Sequence, residues 1–162
     1  MNERQGDEQD RFRDPLVSLY ELAAEDIYVV CPRCGHRAVN SPQPNDSRWV
    51  ASWPRRLTCP GCAYSASWSP RGSEASSWNG PVDPFFHLPL WLRAQCCGGH
   101  TLWAFNRTHL DILSGYIGAR LRERGPAPGG MTLVARLPNW LKAANNRDEL
   151  LRVISRLSAS ID

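Results

Sequence analysis

Hydrophobic and polar positions along the chain divide it into a polar beginning, a strand-rich first half and a second half where helical spacing takes over. Residues 1–14 carry almost nothing to bury and are expected to form a disordered acidic tail. Over Leu16–Asp26, the residues Leu16, Leu19, Tyr20, Ala23 and Ala24 recur at helical spacing and predict a short amphipathic helix. Ile27–Val30 reads as a strand that runs into Cys31. The same order of strand, turn and strand recurs later, with RWVASW (Arg48–Trp53) followed by LTCPGCAYSASW (Leu57–Trp68). A stretch rich in Ser, Gly and Pro, residues 69–84, marks an internal boundary, so that 15–79 and 80–162 are expected as two modules that can share one core.

The second module predicts a hairpin and then helices. HLPLWLRAQC and HTLWAFN read as two strands closed by Gly98-Gly99. A helix is expected over 108–124, capped by Thr108 with Asp111 three residues on and burying Leu110, Leu113, Ile117 and Leu121. Arg120, Arg122 and Arg124 then stand where the helix dipole favours cations. A short helix from Pro138 and a longer one from Asn146 complete the chain; in the latter an N-x-x-E box with Glu149 precedes Leu150, Leu151, Ile154 and Leu157. The fold class expected is α+β, with an antiparallel hairpin sheet covered by C-terminal helices.

Composition changes this picture little. With 162 residues, 42% hydrophobic and 22% charged, the chain has the make-up of a soluble globular protein, and no apolar run approaches the ~20 residues of a membrane span. The first residues lack the apolar core of a secretion signal, so a reducing, cytoplasmic setting is expected, in which paired cysteines favour a metal over a disulfide. Net charge is +3; because the first 14 residues hold five acids against three arginines, the remainder carries +5. That mild excess favours an anionic partner but is far from the charge block of a dedicated nucleic-acid binder.

The chemistry-bearing pattern is CPRCGH, from Cys31, and CPGCAY, from Cys59. Each two-residue spacing lets one tight turn aim two sulfurs at a common point, and the two pairs, 24 residues apart, close a tetrahedron. Gly35 supplies the left-handed backbone such a turn wants, while Ala63 holds the equivalent place. Two disulfides or two redox pairs are the competing readings. A thioredoxin-like pair belongs in a βαβ setting, which neither turn has, so Cys31, Cys34, Cys59 and Cys62 are read as ligands of one zinc ion. Iron fits the same ligands. Four thiolates leave no place for an exchangeable water, which makes the site structural rather than catalytic.

On these residues, 27–68 resembles a zinc ribbon of the TFIIB type. The resemblance implies metal ligation by the same four cysteines. The later segments PLWLRAQCCGGHTLWAFNRTHLDIL and RLPNWLKAANNRDELLRVISRL resemble the companion region of bacterial ribbon proteins of uncharacterised function, a likeness that implies no activity.

Three further groups stand out. With a two-residue turn at Gly98-Gly99, Cys97 would face His100 and Cys96 would face Thr101; Leu92, Ala94, Cys96, Trp103 and Phe105 would then share the apolar side. A thiol beside an imidazole can be a nucleophile pair or half of a second metal site drawing on His87, His109 or His36, but neither is complete, and packing near a turn is the plainer reading. His36 is read as a neighbour of the metal turn rather than a ligand. Lastly, Trp49, Ala51 and Trp53 would share a strand face, followed by Arg55 and Arg56, with Tyr64, Ala66 and Trp68 on the next strand. Such aromatic faces either stack on single-stranded nucleic acid or act as lids over a small core. The function expected is a non-enzymatic zinc-ribbon module that contacts nucleic acid or a nucleic-acid-processing protein through Trp49, Trp53, Arg55 and Arg56. An adaptor docking through its C-terminal helix, and a thiol enzyme using Cys97 and His100, are the alternatives.

Overall fold

A computed structural model describes residues 11–71, 78, 80–123 and 132–162. Residues 1–10 of the expected tail and much of the 69–84 boundary therefore lie outside the described residues. The part of the tail that is described is structured: Arg11–Arg13 forms strand β1, parallel to β8 (Leu121–Glu123), because Phe12 is apolar and buries itself edge-on against Tyr116, with ring centroids 5.5 Å apart.

The first module is an antiparallel sheet in the order β2 (Ile27–Val30), β3 (Arg37–Pro42), β4 (Arg55–Thr58), β5 (Ser65–Trp68). Alternation decides its faces. Ile27, Val29, Ala38, Asn40, Arg55 and Leu57 point inward, and Arg56, Thr58, Ser65 and Ser67 stay exposed. Under the inner face Leu22, Phe85, Leu90 and Phe105 build one core. The helix expected over Leu16–Asp26 is confined to α1 (Leu19–Leu22), since Leu16 takes a left-handed φ of 58° and Ser18 caps the turn by accepting the Glu21 N–H.

The second module is the hairpin β6 (Leu92–Cys96) and β7 (His100–Ala104), packed with α2 (Arg107–Gly118) and α4 (Arg147–Ala159) around Leu92, Leu102, Leu110, Leu113, Leu150 and Ile154. A short α3 (Asn139–Lys142) begins after Pro138 as expected. Two caps differ from the sequence reading. Asn106, not Thr108, caps α2: its side-chain oxygen accepts the His109 N–H at 3.0 Å, and its amide donates to the carbonyls of Leu22 and Asp26. At α4, Asn146 makes no cap bond, and Glu149 instead accepts the Cys97 N–H. Helix α2 also stops at Gly118, short of 124, where the chain turns extended at Ala119 and enters β8. Gly115 lets Phe12 approach: a Cβ there would lie 3.3 Å from its ring.

The two cores meet. Ile112 packs against both, the Tyr28 N–H donates to the Phe105 carbonyl, and the Trp91 N–H donates to the Tyr28 carbonyl, each at 3.0 Å. Among the described residues no helix is long and apolar enough to cross a membrane.

Candidate metal centre and the surrounding surface

The antiparallel order of the sheet brings both cysteine turns to the same end, since Cys31 leaves β2 and Cys59 leaves β4 in the same direction. The turns are built alike. In the first, the Cys31 N–H donates to the His36 carbonyl at 2.8 Å and the Gly35 N–H to the Cys31 carbonyl at 3.0 Å. In the second, Cys59 donates to Tyr64 and Ala63 donates to Cys59, both at 2.9 Å. Gly35 has a φ of 76°, and Ala63 adopts the same left-handed region at 61°, so the second turn carries a strain that the first escapes.

Each turn projects two sulfurs, and the four Sγ atoms lie within 4.8 Å of one another. Cys31 and Cys62 are 3.7 Å apart and Cys34 and Cys59 are 3.5 Å apart, with all four free of disulfides. Sulfurs at ~2.3 Å from a central zinc form a tetrahedron with edges of about 3.8 Å, so the spacing suits a metal far better than bonded pairs. The cluster is compatible with a metal site, and the electrostatics agree. Burial alone would push the Cys31 thiol up, but the N–H groups of Cys34 and Arg33 and the thiols of Cys59 and Cys62 pull it down to about 6. At Cys34 the His36 N–H pulls downward, yet burial and the three neighbouring thiols push it up to about 12. One thiolate is thus favoured and further ionisation is opposed by its neighbours, an opposition that a bound cation reverses. His36 Nδ1 sits 3.4 Å from Cys34 Sγ, a neighbour of the cluster as expected.

The residues singled out for surface contact separate. Arg55 is a correction: it is only 1% exposed, because β4 alternates and Arg55 shares the inner face with Leu57. Its guanidinium donates to the Ala23, Glu25 and Asn40 carbonyls and to Asn40 Oδ1, and lies 4.5 Å from the Phe85 ring centroid. Asn40 in turn donates to Asp83, whose carboxylate also accepts the Phe86 N–H. Burial pulls Arg55 down to about 10, countered by Asp83 and Asp26; burial pushes Asp83 up, countered by the N–H groups of Phe86 and Phe85, by Asn40 and by Arg55.

Trp49 and Trp53 do not share a strand face either. Residues 43–54 form a loop at the end of the sheet opposite the cysteines, with a single 3-10 turn, Val50–Ser52. Serine side chains compete for the backbone there: Ser47 Oγ accepts the Trp49 N–H, Ser52 Oγ donates to the Trp49 carbonyl, and Trp53 Nε1 donates to the Ser47 carbonyl. Trp53 is therefore half-buried, whereas Trp49 is 78% exposed, beside exposed Arg48. The sequence reading passed over Arg48, although it adjoins Trp49 in a stretch opened by Pro, Asn, Asp and Ser. Arg56 is exposed on the outer sheet face as expected. Tyr64, Ala66 and Trp68 are half-buried, and Trp68 packs edge-on to Phe85 at 4.9 Å, which makes this aromatic a lid over the core.

The Cys97 and His100 pair is not formed. Cys97, Gly98 and Gly99 all take positive φ and make a three-residue turn, so Cys96 pairs with His100. That one-residue shift puts Leu102 and Ala104, rather than Trp103 and Phe105, into one core with Leu92 and Cys96, while Phe105 is buried in the other core with Trp103 packed against it. Cys96 is buried as expected. Burial, Cys96 and Glu149 push the Cys97 thiol up to about 12, and the His100 ring stacks on Trp140 at 4.6 Å. Among the described residues the only cluster of three or more metal-ligating side chains is the four cysteines.

Comparison with known protein families, with curated proteins and with solved structures finds no match to this chain.

Proposed function

We propose that this chain is a non-enzymatic zinc-ribbon module that holds one structural Zn²⁺ through Cys31, Cys34, Cys59 and Cys62 and uses the far end of the same sheet to bind single-stranded nucleic acid. Zinc is preferred over iron on general grounds, as the usual occupant of closed four-thiolate sites formed by paired C-x-x-C turns. When bound, the ion supplies a cross-link between two hairpins, and with it the register of four short strands. The resemblance to a zinc ribbon fits the placement of each CPxC turn at the tip of a hairpin.

The observation that carries the binding half is Trp49. The indole is 78% exposed on a loop braced by its own hydrogen bonds, and it stands beside Arg48 at the end of the sheet that carries Arg56. An indole that offers a face to a base, with guanidinium groups nearby for phosphate, is the composition of a stacking platform. An adaptor that docks through the C-terminal helix is the weaker reading, since Leu150, Val153, Ile154 and Leu157 are already buried inside the protein.

Native mass spectrometry of the purified chain should give one zinc per chain by mass. Titration of fluorescent single-stranded DNA and RNA at two salt concentrations should show binding that weakens with salt, and Trp49→Ala should reduce it by roughly ten- to a hundredfold. No measurable affinity at low salt would remove the nucleic-acid reading and leave the metal reading standing.

A further inference from the structure

Away from the cysteines, a mostly apolar cavity of about 170 Å³ opens where the two modules meet, between α1, β7, α2 and α3. Tyr20, Trp78, Trp103 and Trp140 contribute aromatic walls, and Leu113 and His109 line it as well. An apolar cavity of about 150 Å³ is large enough to take benzene, so this volume matches one six-membered ring with a small substituent.

Ser18, Thr101, His109 and Arg136 are polar residues of its lining, and His109 is a buried one. The residue is only 2% exposed, and its Nδ1 accepts the Phe105 N–H at 3.0 Å. Burial holds the imidazole far down, at about 3, so the ring is neutral and its proton sits on Nε2. Nε2–H has no hydrogen-bond partner among the described residues. It is not sealed away either: among these residues the only wholly enclosed side-chain polar atom without a partner is Arg147 Nε, and the cavity is the opening that His109 lines. A nearly buried donor with no acceptor costs free energy unless a ligand or water supplies one.

We propose that this cavity is a binding site for a single-ring aromatic molecule bearing a carbonyl-type oxygen, with the ring between the tryptophans and the oxygen accepting the His109 Nε2–H. The site is independent of the metal cluster and of the Trp49 loop. It needs no charge on the ligand, because its donor is a neutral imidazole.

The test uses the full metal-loaded chain with benzamide and benzene as probes. Saturation-transfer NMR should report benzamide bound, and intermolecular NOEs should connect its ring protons to the indole protons of Trp103 or Trp140. Asparagine at this position can keep an acceptor for the Phe105 N–H while removing the donor at Nε2; glutamine can place a donor near the Nε2 position. His109→Asn should therefore weaken benzamide about tenfold and leave benzene unchanged, while His109→Gln should retain benzamide binding. Absence of saturation transfer or of the indole NOEs in the unmodified chain overturns the proposal, and that result does not depend on either variant folding. Equal benzamide affinity in the Asn and Gln variants overturns it as well.

Discussion

Arg55 and Arg56 are adjacent, chemically identical, and placed in opposite surroundings by the two-residue period of a strand. Arg56 meets solvent. Arg55 lies under the sheet, where its donors meet the Ala23, Glu25 and Asn40 carbonyls and tie the end of α1 to β3. Through Asn40 it also balances Asp83, which is fully buried. Removing one member of such a network strands the other charge in the interior, so Arg55→Met is expected to destabilise by about 3–5 kcal/mol. Arg56→Met should change stability by no more than about 0.5 kcal/mol. Urea denaturation of the two variants side by side checks this, and equal midpoints would remove the network as a source of stability. The alternation RRLT, with Leu57 inward, was a signal in the sequence that Arg55 also points inward; grouping the two arginines as one basic patch obscured it.

At the scale of elements, the two cysteine turns are near copies, differing where Gly35 in one corresponds to Ala63 in the other. A left-handed conformation costs a residue with a Cβ about 1–2 kcal/mol, offset in part by the greater freedom glycine loses on folding. Ala63→Gly is therefore expected to stabilise the loaded protein by about 0.5–1 kcal/mol. Gly35→Ala should destabilise it by a similar amount without a clash, since a Cβ at Gly35 meets nothing within 4 Å. Thermal melts of both variants measure the difference, and shifts of the same sign would show that backbone strain is not what distinguishes the turns. Strands β2 and β5, the three helices of the second module and the order of the hairpins were legible from periodicity. The 43–54 loop was not, because its Val and Trp residues have strand propensity while serine side chains draw its backbone into a turn. The hairpin register escaped for a similar local reason: Cys97 itself takes φ of 56°, which lengthens the turn by one residue.

For the whole molecule, the division into two cores sets how it should respond to loss of metal. The sheet module carries the cysteines, while β6, β7, α2 and α4 enclose a core of their own. If the four cysteines hold a metal as proposed, stripping it with a chelator removes on the order of 10 kcal/mol of apparent binding free energy from the first module. The melt should then split, with the sheet losing structure at a lower temperature and the helical circular dichroism at 222 nm largely retained. A metal-free protein that melts as one unit at the original temperature would contradict the scaffold role. What the sequence by itself determined is what depends on neighbours within a few residues: the thiol pairs, their turns, and the periodicity of strands and helices. Only the tertiary structure decided that the four thiols converge, that Arg55 and Asp83 share the interior, that α4 buries its apolar face internally, and that His109 lines a cavity together with residues from distant segments. The physical reason is that spacing constrains where a side chain points from its own element, whereas burial and pairing depend on which other elements pack against it.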